Sequence, residues 1–191
     1  MTTKAKLVST IAAFCLVLAL MVVGVLAASS ATVDLGGSIS FTAKDVVATV
    51  SVSASGSAED ATVNGTGVYT ESFDSTDNPT ASWTKNDINL TFASKDAPIV
   101  ITIAVQNDSD ERALTLTAAT LPSVTGDNIN LKSLQYDMND ADAPKNLTTE
   151  AVTVPAGEKV EIIMTISITD ANASVTGSSW TADFTLANVA A

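Results

Sequence analysis

Two stretches of this sequence alternate between outward and inward residues over eight or more positions. Ile99, Ile101, Ile103 and Val105 alternate with Val100, Thr102, Ala104 and Gln106. Val160, Ile162, Met164, Ile166 and Ile168 alternate with Glu161, Ile163, Thr165, Ser167 and Thr169. A period of two is that of a pleated strand, so both runs predict half-buried strands with one face in a core. Ile163 falls on the outer face of its strand, which predicts partial cover there. No segment with the helical period of 3.6 competes with these runs. Weaker runs of the same kind cover Val46–Ser53, Asn89–Ala93, Arg112–Ala118, Ala151–Val154 and Trp180–Val189. Turn signals separate them: Asn64-Gly65, Asn78-Pro79, Ala97-Pro98, Gly126-Asp127, Pro155-Ala156-Gly157 and Thr176-Gly177. About eight to ten short strands punctuated in this way predict an all-β, antiparallel sandwich. Residues 123–149 are the least strand-like part and predict a long loop or a short helix at SLQYDMNDAD.

The spacing narrows the class of sandwich. PIVITIAVQNDSDERALTLTAATL reads as strand, Asn/Asp/Ser hairpin turn, strand. VTVPAGEKVEIIMTISI reads as a Pro-x-Gly-Glu turn leading into a long strand. Proline cannot donate a ladder bond and so marks a strand boundary. This layout recurs in extracellular Ig-like sandwiches. Trp83 and Trp180 are expected in its core, Trp180 sharing an alternating face with Phe184 and Leu186.

Ahead of the strands lies a different kind of sequence. Residues 1–33 carry Lys4 and Lys6, no acid, and an apolar run from Leu7 to Leu26 ending in Ala27-Ala28-Ser29-Ser30-Ala31. A basic start, an apolar middle and a small-residue end describe a secretory signal peptide, here residues 1–28, with a second possible cut after Ala31. The alternative is an uncleaved signal anchor, because the run approaches the roughly 20 residues that span a bilayer. Either way the rest of the chain is expected outside the cell, secreted or at its surface. It divides into an N-terminal segment, 29–44, and a sandwich domain, 45–191. The only cysteine, Cys15, lies in the leader, so the exported part has no disulfide and relies on its core.

Composition then removes whole classes of function. All 21 acids lie beyond residue 33 while two of the nine bases lie before it, so the exported part is strongly acidic. Such a charge favours solubility and repels nucleic acid, for which there is no basic patch. The sequence contains no histidine, which eliminates Ser-His-Asp and Cys-His nucleophiles and imidazole metal sites. No phosphate-cradling glycine loop is present. A paired-carboxylate hydrolase is the weakest reading, since aromatic sugar platforms are scarce. No enzyme is expected. Asp137, Asn139, Asp140 and Asp142 place oxygen ligands as calcium loops do, without the glycine and distal glutamate of an EF-hand. They are candidate calcium ligands, with a solvated loop as the alternative; no other cofactor is expected. Sequons occur at Asn64, Asn89, Asn107, Asn146 and Asn172.

The leader KAKLVSTIAAFCLVLALMVVGVLA, the joint ATVDLGGSISFTAKDVVATVSVS, and then I-x-I-x-V-x-N-x-S and P-x-G-x-x-V-x-I-x-x-x-I together resemble the secreted proteins of the TasA/camelysin type. The likeness is one of layout over most of the chain, which is shorter than TasA proper. It implies a jelly-roll-like sandwich that polymerises into extracellular biofilm fibres after a signal peptidase removes the leader. It also implies that the N-terminal segment of one subunit completes the sheet of the next, a role that falls here to Thr32–Ala43. Camelysin has been described as a metalloprotease; a chain without histidine speaks against that activity here.

The residues of the joint suit that role. Thr32, Val33 and Leu35, then Ile39 and Phe41, are short strand candidates, and Gly36-Gly37 is a candidate hinge or bulge. An extended segment can add to an open sheet edge, and a head-to-tail contact of this kind propagates into a filament. The alternative is that residues 32–43 are the first strand of their own sandwich. The expected function is therefore a structural subunit of an extracellular fibre or biofilm matrix, assembled by donor-strand exchange. The rival reading is a monomeric surface module that binds carbohydrate or protein through residues 123–149. The expected partners are further copies of the same chain and a signal peptidase; the membrane is touched only through an uncleaved leader.

Overall fold

The computed structural model describes residues 33–56, 61–63, 69–74, 79–86, 88, 90–92, 98–138, 143–169 and 179–189. Residues 1–32, which hold the expected signal peptide and Thr32, lie outside the described residues. Every element among them is a strand: β1 (Val33–Lys44), β2 (Val47–Gly56), β3 (Ala61–Val63), β4 (Tyr69–Asp74), β5 (Thr80–Lys85), β6 (Leu90–Phe92), β7 (Ile99–Asn107), β8 (Leu114–Thr125), β9 (Ile129–Met138), β10 (Lys145–Asn146), β11 (Val152–Val154), β12 (Lys159–Ile168) and β13 (Ser179–Asn188).

They form two sheets. One runs β11-β8-β13-β1-β6-β3, with β5 also paired to β1; the other runs β10-β9-β12-β7-β2-β4. All pairings are antiparallel except β1 with β13, which is parallel. The fold is the expected all-β sandwich. Its core follows directly from the alternation. Ile99, Ile101, Ile103 and Val105 of β7 and Val160, Ile162, Met164 and Ile166 of β12 are fully buried, and the two strands pair residue for residue. Trp180, Ala182, Phe184 and Leu186 of β13 join the same core, as do Val50 and Val52 of β2. Ile163, on the outer face of β12, is half-buried as predicted.

Three expectations are corrected. The stretch from Asn107 to Ala113 is not a hairpin turn, because β7 and β8 lie in different sheets and the chain arches across the sandwich edge. Residues 129–138 are neither loop nor helix. They form β9, paired to β12 from Ile168↔Ile129 to Val160↔Met138 with a register shift between Thr165 and Ile166. That shift leaves Lys132 without a partner on β12, so the inward residues change phase from Ile129 and Leu131 to Leu134, Tyr136 and Met138. Gly36 and Gly37 are neither hinge nor bulge: they continue β1 in register opposite Ser179 and Trp180.

Candidate assembly site

The segment singled out by its sequence occupies a groove in the first sheet. β1 is an interior strand. On one side Gly36–Lys44 pairs with Ser179–Ala187 of β13. On the other, Val33–Leu35 pairs with β6 and Ile39–Lys44 with β5. Between β5 and β6, the Ile88 amide donates to the Gly37 carbonyl at 3.0 Å. Successive side chains point to opposite faces, so Leu35, Ile39, Phe41 and Ala43 all face inward. Leu35, Ile39 and Phe41 are completely buried. The Phe41 ring stacks on Phe184 at 5.3 Å and lies tilted to half-buried Trp83 at 6.2 Å. On the outer face Ser40 Oγ donates to Asp183 Oδ1 at 2.7 Å.

Burying Leu35, Ile39 and Phe41 stabilises by about 1.5–3 kcal/mol each, or about 5–9 kcal/mol together. That is comparable to the whole stability of an ordinary domain, about 5–15 kcal/mol. Without an occupant the groove would expose this apolar surface together with the unpaired edges of β13, β5 and β6. The sandwich therefore needs a strand here. Within one copy of the chain, its own β1 supplies it.

What joins β1 to the rest is short. Only Asp45 and Val46 separate it from β2, which lies in the opposite sheet. Asp45 has φ 53°, in the left-handed region that non-glycine residues adopt at a cost. Its amide donates to the Pro79 carbonyl at 2.8 Å, and its carbonyl accepts from Asn188 Nδ2. Val46 is buried beneath the corner. The chain turns from one sheet to the other at Asp45, with its positive φ, rather than at Gly36-Gly37.

A cleft of about 420 Å3 opens beside this corner, lined by Asp45, Asp108, Asp110, Glu111, Arg112 and Asn188 among others. Asp108 Oδ2 is already engaged by Thr49 Oγ1 at 2.7 Å. Among the described residues no three acids converge to hold a metal ion. Of the candidate calcium ligands, Asp137 lies near the end of β9, opposite Glu161 of β12, with its Oδ1 buried and without a hydrogen-bond partner. Asn139, Asp140 and Asp142 lie outside the described residues.

Asn107 proves to be a structural pin. It is 1% exposed. Its Nδ2 donates to the carbonyls of Arg112 at 2.8 Å, Val154 at 3.0 Å and Pro155 at 2.9 Å, and its Oδ1 accepts from the Ser109 amide. One side chain thus ties the β7–β8 arch to the β11–β12 arch. Gly157, at φ 71°, gives the second arch its turn and donates its amide to the Ser109 carbonyl. The sequence signalled turns at both places, but nothing in it said that the two turns touch.

No protein-family model matches the chain, and no curated protein matches it. Among solved structures, the cupredoxin domain of amoB from Nitrosocaldus yellowstonii aligns at 13% identity and TM-score 0.21, covering 48% of this chain and 56% of that one. A family IIIa CBD from Clostridium cellulolyticum aligns at 16% identity and TM-score 0.19, covering 39% of this chain and 64% of that one. The chain spans less than two thirds of the length of either, and likenesses this shallow carry no argument about site or ligand.

Proposed function

We propose that the chain is a secreted structural subunit that builds extracellular fibres by exchanging β1 between neighbouring copies. The observation that carries this reading is the way β1 is held. It is an interior, core-bearing strand attached through two residues, one of them in a strained backbone conformation. Short strained hinges invite domain swapping, because extension relieves the strain while every contact is remade in a neighbour. The exchange is one-way: β1 of one copy enters the groove of the next, leaving that copy's own β1 free to continue. Such a contact is heterologous and grows into a filament. The absence of histidine from the sequence and of an exported cysteine agrees with a structural rather than catalytic role.

Ser40 and Asp183 offer a direct test. They are register partners whose side chains already touch across β1 and β13. A Ser40→Cys/Asp183→Cys chain, oxidised under conditions that give filaments by electron microscopy, should run as a covalent ladder without reductant. Monomers alone, with the disulfide formed within each copy, would overturn the exchange.

A further inference from the structure

The inward positions of β1 run Leu35, Gly37, Ile39, Phe41, Ala43. Four carry buried apolar side chains; the fifth carries none. Its space is filled from the next strand. Gly37 is the register partner of Trp180 in the parallel ladder, and Trp180 is completely buried. A Cβ built on Gly37 would fall among the pyrrole-ring atoms Nε1, Cε2 and Cδ1 of that indole. Glycine is required here by close approach, not by its backbone angles. The same packing leaves the indole Nε1 buried without an acceptor, an arrangement that costs free energy.

We infer that Gly37 and Trp180 form the selectivity key of the groove: the strand seated beside β13 must carry glycine where it meets Trp180. As a rule of partner choice this rests on the exchange reading above, and the partner it fits is β1 of a second copy of this chain. Hydrophobic pattern alone would admit many strands, since any alternating segment offers an apolar face. The key rejects those with a side chain at this position. It also fixes register. A slip of two residues keeps the apolar face inward, but it would bring Leu35 or Ile39 onto the place of Gly37, against the indole.

The test uses point variants of the full chain. Gly36→Ala adds the same methyl one position away, on the opposite face of β1, and reports the generic effect of replacing a strand glycine. Gly37→Ala should lower the urea midpoint clearly more than Gly36→Ala does, and the excess should vanish in a Trp180→Leu background. Equal effects of the two alanines, or an excess that persists without the indole, would overturn the key. A mixing arm separates the key from the exchange. Gly37→Trp and Trp180→Gly chains should each fail to assemble alone. Mixed, each offers the strand or groove that the other accepts, and filaments should return. If the alanine comparison behaves as expected and mixing restores nothing, the key stands as an intramolecular register lock and the exchange falls.

Discussion

The sharpest test of the groove is Phe41→Ala. Phe41 has no exposed surface, stacks on Phe184 at 5.3 Å with planes 26° apart, and meets Trp83 at 6.2 Å. Truncating a buried phenylalanine costs about 3–5 kcal/mol through lost transfer and the cavity left behind. Two ring contacts, worth about 0.5–1.5 kcal/mol each beyond burial, put this site at the upper end, near 4–5 kcal/mol. For a chain of this size that corresponds to a fall in Tm of about 8–20 °C. The assay is urea unfolding followed by tryptophan fluorescence at fixed protein concentration, for Phe41→Ala, Phe184→Ala and the double variant. The cycle should give a coupling of about 0.5–1.5 kcal/mol between the two rings. A loss below about 1 kcal/mol for Phe41→Ala, or no coupling, would show that β1 is not seated on β13 and would remove the basis for the groove.

Asn107→Ala should cost about 1.5–4.5 kcal/mol, since the two N–H donors shared among three carbonyls and the bond from the Ser109 amide are lost at about 0.5–1.5 kcal/mol each. Asn107→Asp should not restore it, because an ionised carboxylate cannot donate; recovery in the urea midpoint would refute the pin. Asp45→Gly should raise stability by up to about 1 kcal/mol, as glycine adopts φ 53° freely, and a loss in thermal denaturation would show that the aspartate side chain holds the corner. Asp137→Asn should stabilise by about 0.2–1 kcal/mol in chelator, because Asp137 and Glu161 sit directly opposite as like charges. A destabilisation seen only with added calcium would instead assign a cation to Asp137.

The sandwich was legible because its two longest core strands keep strict alternation: nothing else buries Ile99, Ile101, Ile103 and Val105 on one side. Where alternation breaks, the reading breaks with it. β9 does not read as a strand because the register shift at Thr165/Ile166 moves the inward set from odd to even residues at Lys132. The β7–β8 arch reads as a hairpin because local sequence marks a turn without saying which sheet receives the next strand. Val33, Leu35, Ile39 and Phe41 read as strand formers, and all four lie in β1. Local sequence suggests flexibility at Gly36-Gly37, whereas the requirement at Gly37 comes from Trp180, far away in the chain. Asp45, whose positive φ makes the corner between the sheets, shows only as a break between two alternating runs.

The parallel ladder between β1 and β13 also sets a clock. Ser40 and Asp183, bonded across it, are 143 positions apart in the chain. A ribosome delivers one end well before the other, so β1 must wait for the wall of its own groove to be made. Contacts of such long range form late and slowly. On the exchange reading, β1 is during that interval an unpaired, apolar strand that a groove already completed on an earlier copy would capture. Crowding of nascent chains at the site of release, not only the relative stability of the closed and exchanged forms, would then decide how many copies join end to end.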